Sequence, residues 1–403
     1  MDLFLNEVVD VSNEGRQHAY KKKIISILNK ADEALTIPEL CKKVRLSVPT
    51  GTRLINELIE QDIIVQAGKK ETVNGRRPAM YKVDENYAYA IGVVILLKSL
   101  SVSVFNLAME EVFSFEMEDF TLENTPECLE EVYQCINKTI QLSKVNRHRI
   151  LGLGIGITGR IDSKTGRSYN YFNFLENSLV AFFEERFKFS VHIDNDTHML
   201  GFAEQVFGKA KNVRNALIVN LSYGLGLAMV SHGEVILGEQ GFAGEFGHMQ
   251  FGESDKLCLC GKRGCLGTEV SGHALEENFK KQIAKGESSL LLIDKEKQEI
   301  NYKKILEAAR EGDSLSISLI HNIGFKLGKA LGNILNLLNP GIIIVGGRFY
   351  PAKEILTDSI KSGMMHTALS LPLRNCEISF SDISSDAAIK GAGVLVLRAM
   401  NLY

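Results

Sequence analysis

The chain has 403 residues, of which 45% are hydrophobic, seven cysteines and a formal net charge of −3 at pH 7. This length predicts two or three domains, and no apolar run approaches the roughly 20 residues that span a bilayer. The polar, acidic start does not resemble a secretory signal. An odd number of cysteines favours a reducing compartment over a disulfide framework. We therefore expect a cytoplasmic protein with no membrane partner.

The charge is unevenly distributed along the chain. Residues 15–82 contain 14 Lys or Arg and 7 Asp or Glu, which gives +7, whereas the remainder carries −10. A basic module attached to an acidic body is typical of a protein that binds a polyanion.

The basic segment predicts three short helices. Residues 19–30 place four apolar side chains on one helical stripe. Thr36, with Glu39 three residues later, predicts the start of a second helix through a capping box. Ser47 is the N-cap candidate of a third helix, over 49–61.

A ribbon of two strands follows these helices, at 63–65 and 80–83. The pattern predicts a winged helix-turn-helix whose third helix enters the major groove of DNA and whose wing carries arginines. The candidate DNA contacts are Ser47, Thr50, Thr52, Arg53, Arg76 and Arg77. The alternative is a helical protein-binding or dimerisation domain whose charges form a solvated face.

Beyond about residue 87, strands alternate with helices in two successive halves, which predicts α/β architecture. The predicted strands and hairpin cover 88–97, 99–107, 112–116, 150–159, 191–196, 216–230 and 341–347, with helices over 124–143 and 314–338. Ligands of such folds bind beyond the carboxyl ends of the strands.

Within the second half, Cys258, Cys260 and Cys265 lie within eight residues, and His248 lies ten residues before the first of them. Three thiolates and one imidazole are a complete ligand set for a closed, tetrahedral structural zinc, one per chain. Four protein ligands leave no open position for a catalytic water. The alternative is a cluster of reduced, buried cysteines.

Several motifs together carry a resemblance to a known family. They are Gly154–Asp162, Asp194–Asp196, Gly244–His248, the Cys258/Cys260/Cys265 motif and Val345–Gly347. With these motifs and the winged helix, nearly the whole chain resembles the ROK family (repressors, open reading frames and kinases). The resemblance implies an α/β fold in which an N-terminal winged helix-turn-helix precedes a two-lobed, actin-like ATPase (ribonuclease H-like) sugar-kinase fold. The expected boundaries are 1–86, 87–195 and 196–403.

The resemblance also implies a sugar pocket formed by Asn195, Asp196, Glu245 and His248. Asp196 matches the general base of the family's kinases, and His248 would contact sugar and zinc through different ring nitrogens. Carboxylates, amides and imidazoles suit the hydroxyls of a sugar. Considered alone, Asp196 also suits a helix N-cap.

Two departures from the family pattern argue against kinase activity. The phosphate-binding D-x-G-x-T turn is absent, with Val94 where its carboxylate is expected, and Tyr223 crowds the second phosphate turn. Asp196 would then be a vestigial base, so that no residue is catalytic. A third departure is Gly267, where family members carry a glutamate that binds a sugar hydroxyl.

We therefore expect a sugar-responsive transcriptional regulator, a repressor, with operator DNA and a sugar or sugar phosphate as partners. A homodimer or homotetramer would present paired heads to a near-palindromic site. One alternative is a ROK sugar kinase, an ATP-dependent hexose kinase with an appended DNA-binding domain. The other is a constitutive DNA-binding protein with a relic pocket, which Gly267 favours.

Overall fold

A computed structural model describes residues 13–31, 33–70, 77–117, 119–251, 254–292, 300–383 and 387–403. Its contacts form two compact units, Met1–Asp196 together with Ile389–Tyr403, and Thr197–Ala388. The carboxyl-terminal segment therefore belongs with the first unit, while the predicted boundaries at 86/87 and 195/196 stay predictions. None of the helices in the described ranges is long and apolar enough to cross a membrane.

The first unit begins with a head, defined here as residues 13–83. Its elements are α1 (Asn13–Lys30), β1 (Leu35–Thr36), α2 (Ile37–Val44), α3 (Val48–Glu60), β2 (Ile64–Lys69) and β3 (Ala79–Val83). Strand β3 pairs antiparallel with both β2 and β1. The ribbon that the sequence predicts as two-stranded thus has a short third strand, because the extended residues before α2 pair with β3.

Capping and close packing fix the helices of the head. Glu39 accepts hydrogen bonds from the backbone N–H and the hydroxyl of Thr36, at 2.9 and 2.8 Å, as the capping box predicts. Helices α2 and α3 approach closely at Gly51, where a Cβ would lie 2.2 Å from Cys41 Sγ. The buried core of the head includes Ile24, Ile25, Leu28, Leu40, Val44, Leu54, Ile55 and Leu58.

The first unit continues with a five-stranded mixed sheet in the order β10-β7-β4-β5-β6. These strands are β4 (Tyr89–Leu96), β5 (Ser99–Asn106), β6 (Glu111–Met117), β7 (Ile150–Ile157) and β10 (Ser190–Asn195). Two short strands, β8 (Ile161–Asp162) and β9 (Arg167–Ser168), form a separate antiparallel pair. The accompanying helices are α4 (Pro126–Ser143) and α5 (Leu179–Phe187). Strands β10, β7 and β4 are parallel, and β4, β5 and β6 are antiparallel.

The second unit repeats this arrangement in the order β15-β14-β11-β12-β13. Its strands are β11 (Asn215–Leu221), β12 (Leu225–Ser231), β13 (Glu234–Val235), β14 (Ile342–Gly346) and β15 (Glu377–Phe380). Its helices are α6 (Asp196–Phe207), α7 (Gly272–Ala284), α8 (Tyr302–Arg310), α9 (Ser314–Leu338), α10 (Lys353–Met365) and α11 (Ser370–Asn375). Again the first three strands are parallel and the last three antiparallel. The two halves predicted from the alternation of strands and helices are thus present.

The carboxyl-terminal helix, α12 (Ala387–Ala399), lies directly on the backbone of the first sheet. A Cβ at Gly154 of β7 would lie 1.9 Å from the carbonyl oxygen of Ala392, so this contact requires glycine. Beyond the helix, the carbonyl of Leu402 accepts a hydrogen bond from Asn29 Nδ2 of α1, at 3.3 Å. The end of the chain therefore contacts both the sheet and the head.

Candidate functional site

Helix α3 presents the predicted DNA-contacting residues to solvent. Ser47, Thr50 and Arg53 are exposed, and Thr52 is half-buried. Ser47 Oγ accepts a hydrogen bond from the Thr50 N–H at 3.4 Å, and the two hydroxyls are 2.9 Å apart. Ser47 therefore caps the helix that a winged helix directs into the major groove.

Arg53 is held by neighbours that the sequence analysis did not include. Its guanidinium donates to Glu57, one turn later on α3, and to Gln17 Oε1 of α1, at 3.4 Å. Glu57 is paired in turn with Lys21 of α1, with 2.8 Å between Nζ and Oε2. The i,i+4 spacing of Arg53 and Glu57 was the available sequence signal.

The wing is described in part. Arg77 is exposed just before β3, whereas Arg76 lies outside the described residues. Directly after β2, Lys70 forms an ion pair with Glu39 of α2. The hydrogen bonds from Lys70 and Thr36 lower the pKa of Glu39 to about 2, so the Glu39 carboxylate is ionised at neutral pH.

The four predicted metal ligands come together in one cluster. The ligand atoms of His248, Cys258, Cys260 and Cys265 all lie within 4.8 Å of one another. Cys258 Sγ is 3.5 Å from His248 Nδ1, and Cys260 Sγ is 3.6 Å from Cys265 Sγ. A tetrahedron with metal–sulfur bonds of about 2.3 Å and metal–nitrogen bonds of about 2.0 Å has edges of about this length. The cluster can hold a metal ion.

The cysteines of this cluster differ in burial. Cys265 is buried, whereas Cys258 and Cys260 are half-buried. Burial and the neighbouring sulfurs of Cys260 and Cys258 raise the pKa of Cys265 to about 12. Three closely spaced thiolates repel one another, which is the electrostatic reason that such a cluster suits a cation.

Glu245 and His248 share a short segment that packs tightly on β12. Glu245 precedes a 3₁₀ turn formed by Phe246–His248, and its Oε2 lies 3.7 Å from His248 Nε2. A Cβ at Gly244, where φ is +85°, would lie 1.9 Å from the carbonyl oxygen of Leu227. Because Nδ1 of His248 faces the cysteines, Nε2 is the nitrogen on the side of the glutamate.

Asn195 and Asp196 stand at a strand-to-helix junction. Asn195 ends β10, and its Nδ2 donates to the carbonyl oxygen of Gly159 at 2.7 Å. Asp196 is the first residue of α6. The position at a helix start leaves the capping alternative open for Asp196.

Gly267 and Glu269 lie only two positions apart in the sequence but have different surroundings. A Cβ at Gly267 would lie 3.2 Å from the carbonyl oxygen of Gly247, next to His248. Glu269 is instead paired with Lys256 and with Lys326 of α9, at 2.6 Å each. Burial raises the pKa of Glu269, but the hydrogen bonds and charges of the two lysines lower it to about 2. Glu269 therefore serves as an ion-pair anchor for the segment that follows the cysteines.

Val94 and Tyr223 mark the two positions where the sequence analysis expects the phosphate-binding turns of a kinase. Val94 is buried within β4, between Ser101 of β5 and Gly156 of β7. At the second turn, the carbonyls of Ser222 and Tyr223 accept hydrogen bonds from the backbone N–H groups of Gly272 and His273, at 2.8 and 3.1 Å. These first amides of α7 are thus bonded to the protein's own backbone.

The Tyr223 side chain occupies space beside the second turn, next to the start of α7. Its hydroxyl lies 3.3 Å from His273 Nδ1, and its ring centroid is 6.1 Å from that of Tyr302. Burial raises the pKa of Tyr223 above its ordinary value. The phenol is therefore neutral at physiological pH and occupies space next to the turn.

Comparison with known protein families explains the pairing of head and body. Residues 18–65 match the model of a winged helix-turn-helix DNA-binding domain. Residues 99–399 match the model of the ROK family. The chain belongs to the ROK family. The family membership predicted from the motifs is thereby confirmed.

Regulators of the ROK family align with almost the whole chain. A xylose repressor from Caldicellulosiruptor bescii is 25% identical over 367 residues, which cover 90% of this chain and 91% of that repressor. The DNA-binding transcriptional dual regulator NagC of Escherichia coli K12 is 28% identical over 366 residues, 90% of this chain and 88% of NagC.

Solved structures confirm the predicted fold class. A ROK family transcriptional regulator, a homologue of the E. coli MLC protein, matches with a TM-score of 0.80 and 25% identity, covering 96% of this chain and 97% of that one. A ROK glucokinase from Streptomyces griseus matches with a TM-score of 0.67 and 23% identity, covering 76% of this chain and 99% of the glucokinase. The ROK body thus shares the fold of sugar kinases.

Proposed function

We propose that this ROK protein is a sugar-responsive transcriptional repressor, whose winged helix binds operator DNA and whose body binds a sugar or sugar phosphate. The proposal rests on one observation. The same chain contains a winged helix, whose helix α3 faces solvent, followed by a ROK body. The xylose repressor and NagC align with about 90% of this chain. Winged helices use such a helix to read the major groove.

The experiment is DNA binding with and without sugars. Wild-type protein would first select duplexes from a randomised library, and fluorescence anisotropy would then give Kd for a selected duplex and for a shuffled one. We expect one member of a panel of xylose, glucose, N-acetylglucosamine and their phosphates to change Kd for the selected duplex several-fold. Selection of a duplex with no effect of any sugar would support the constitutive alternative instead.

We further propose that the body does not transfer phosphate from ATP. Phosphate sites use free amides at helix starts, but Gly272 and His273 at the start of α7 donate to the neighbouring turn. Val94 also offers no carboxylate for a metal ion. We expect no sugar-dependent ATP hydrolysis in a coupled assay with a hexose panel. Turnover that Asp196→Asn abolishes would support the kinase alternative.

We propose that the metal of the His248, Cys258, Cys260 and Cys265 cluster is a structural zinc, one per chain. Three sulfurs and one imidazole at tetrahedral spacing suit zinc and leave no open coordination position. A bound zinc would tie the loop that follows residue 257 to the segment of His248. The zinc would stabilise the fold at this point and would have no catalytic role.

For the sugar we propose Asn195, Asp196, Glu245 and His248 as ligands. The support from geometry is that His248 directs Nδ1 toward the cysteines and Nε2 toward Glu245, so both ring nitrogens can have a partner. A metal on Nδ1 fixes the tautomer and orients the ring. Ser47, Thr50, Thr52, Arg53, Arg76 and Arg77 are the proposed DNA contacts.

We propose a homodimer or homotetramer, in which paired heads bind a near-palindromic operator. The proposed domains remain 1–86 for DNA binding, 87–195 for the first lobe and 196–403 for the second. Since the proposed partner is operator DNA, we infer a cytoplasmic location. Size-exclusion chromatography with light scattering would measure the number of chains per particle.

A further inference from the structure

The arginine on the proposed recognition helix is paired with side chains of the head itself. The Arg53 guanidinium donates to the Glu57 carboxylate and, at 3.4 Å, to Gln17 Oε1. Its side chain is still half exposed, so the pairing does not bury the group. The guanidinium therefore has a preferred orientation before it meets a base pair.

The carboxylate that holds Arg53 is itself fixed. Lys21 of α1, which is buried apart from a tenth of its side chain, lies 2.8 Å from Glu57 Oε2. The hydrogen bond from Lys21, followed by its charge and by Arg53, lowers the pKa of Glu57. One oxygen of Glu57 thus faces a buried cation and the other faces Arg53, so the carboxylate bridges α1 to the DNA-facing side of α3.

An arginine whose side chain is kept in one orientation and an arginine that rotates freely contribute differently to DNA binding. A free guanidinium contacts any phosphate, which adds affinity without sequence information. A guanidinium kept in one orientation can instead present its planar fork to the two acceptors of guanine in the major groove. The nearby carboxylate also repels the phosphate backbone, which weakens binding wherever no base contact compensates.

We propose that Glu57 is a specificity-determining positioning residue, which Lys21 fixes and which directs Arg53 toward guanine and away from phosphate. This inference rests on the proposed binding of operator DNA. It adds that sequence discrimination depends on a residue whose own charge opposes DNA binding.

The test compares Glu57→Gln with Glu60→Gln on the selected and shuffled duplexes defined above. Glu60 is exposed on the same helix and has no ion pair with any residue in the described ranges, so its substitution removes the same charge. We expect Glu60→Gln to strengthen binding to both duplexes by similar factors. For Glu57→Gln we expect binding to the shuffled duplex to strengthen much more than binding to the selected one, so that the ratio of the two Kd values falls about tenfold.

Two further measurements separate positioning from a structural role. On the shuffled duplex, the slope of log K against log salt should steepen by about one for Glu57→Gln, because Arg53 gains a phosphate contact. In an Arg53→Gln background, Glu57→Gln should no longer change the ratio, as a double-mutant cycle requires when one residue acts through the other.

Because Glu57→Gln leaves Lys21 buried without a charged partner, the double variant Lys21→Met/Glu57→Gln is the second test. It removes both members of the pair, keeps the net charge of the protein, and should show the same loss of discrimination. Equal effects of Glu57→Gln and Glu60→Gln on both duplexes, or an undiminished effect without Arg53, would overturn the inference. If wild-type protein enriched no duplex at all, the proposed DNA recognition itself would fail, which is a different result.

Discussion

At the scale of single residues, Glu269 shows how environment assigns a role to a carboxylate. It lies two positions after Gly267, the position at which the family resemblance implies a sugar-binding glutamate. Glu269 is close enough in sequence to suggest that it replaces that glutamate. Its two ion pairs with Lys256 and Lys326, and an exposure of 12% of its side chain, make it a structural anchor instead. The same distinction separates Glu57, which is held by cations, from the exposed Glu60.

The ion pairs of Glu269 predict how the stability of the protein depends on pH. Its pKa is about 2 in the folded protein and about 4.3 in an unfolded chain. The stabilisation is therefore fully present above pH 4.3 and is lost as pH falls toward 2. We expect Glu269→Gln to lower the free energy of unfolding by about 2–3 kcal/mol at pH 7. Urea unfolding should show a constant deficit in the free energy of unfolding from pH 8 to about pH 5, and the deficit should narrow as pH falls below about 4.3.

The control for this prediction is Glu307→Gln, which removes a carboxylate from an exposed position on α8. Surface substitutions of this kind change stability by less than about 0.5 kcal/mol. A deficit for Glu269→Gln no larger than that of Glu307→Gln would show that the two lysine contacts do not stabilise the fold.

The metal cluster makes a second prediction at this scale. Cys258→Ser replaces a ligand, so purified protein should fall from about one zinc per chain to a small fraction, with a lower thermal unfolding midpoint, since metal binding contributes to folding. The matched control is Leu259→Ser, in the same loop, because Leu259 is 98% exposed and offers no ligand. Metal analysis that finds no zinc in wild-type protein purified without chelator would contradict the zinc assignment.

At the scale of elements, helix α12 and strand β7 show how close backbone packing depends on missing side chains. Gly154 lies under the carbonyl of Ala392, and Gly152 on the same strand approaches Val396. Such contacts bring the carboxyl-terminal helix onto the first sheet rather than onto the sheet that precedes it in sequence. A backbone carbonyl cannot rotate away as a side chain can, so the fit is intolerant of added atoms.

We predict that Gly154→Ala destabilises the protein by about 2–3 kcal/mol, because overpacking forces α12 away from β7. Gly224→Ala is the matched control, since a Cβ there meets no atom within 4 Å, and it should change stability by less than about 0.5 kcal/mol. Denaturant unfolding monitored by circular dichroism measures both. Similar stabilities of the two variants would show that α12 moves to accommodate the methyl group.

At the scale of the whole molecule, regulation requires that the body and the head communicate. A ligand shifts such an equilibrium only through different affinities for the two states of the protein. The hydrogen bond between Asn29 of α1 and the carbonyl of Leu402 joins the head to the segment that follows α12. This contact is one physical link between the head and the first sheet.

For the response to sugar we expect Glu245→Ala to abolish the change in DNA affinity while leaving binding without sugar unchanged. Gly267→Glu should strengthen sugar binding if the backbone accommodates the new side chain, because position 267 lies beside Gly247 and His248 and an added Cβ would be 3.2 Å from the Gly247 carbonyl oxygen. Anisotropy measures the first effect, and the thermal shift on addition of sugar measures the second, since a ligand of the native state raises the melting temperature. Gly267→Glu protein that binds none of the tested sugars would favour a relic pocket.

Much of the fold could be predicted from local sequence. The capping pair Thr36 and Glu39, the apolar stripe of α1 and the order of strands and helices were all predicted, because hydrophobic period and capping act over a few residues. The cluster that can hold a metal ion was equally predictable, since three of its four residues lie within eight positions. The short strand β1 was missed because two extended residues have no period of their own.

The sequence by itself therefore determined the family, the winged helix, the two repeated halves and the residues of the histidine and cysteine cluster that can hold a metal ion. Tertiary structure alone decided which partners individual side chains took. Lys21 meets Glu57, Lys326 meets Glu269, and the end of the chain returns to the first unit. These partners are separated by tens to hundreds of residues, and no local pattern encodes them. They follow from the packing of elements, whose close-packed interiors admit few arrangements.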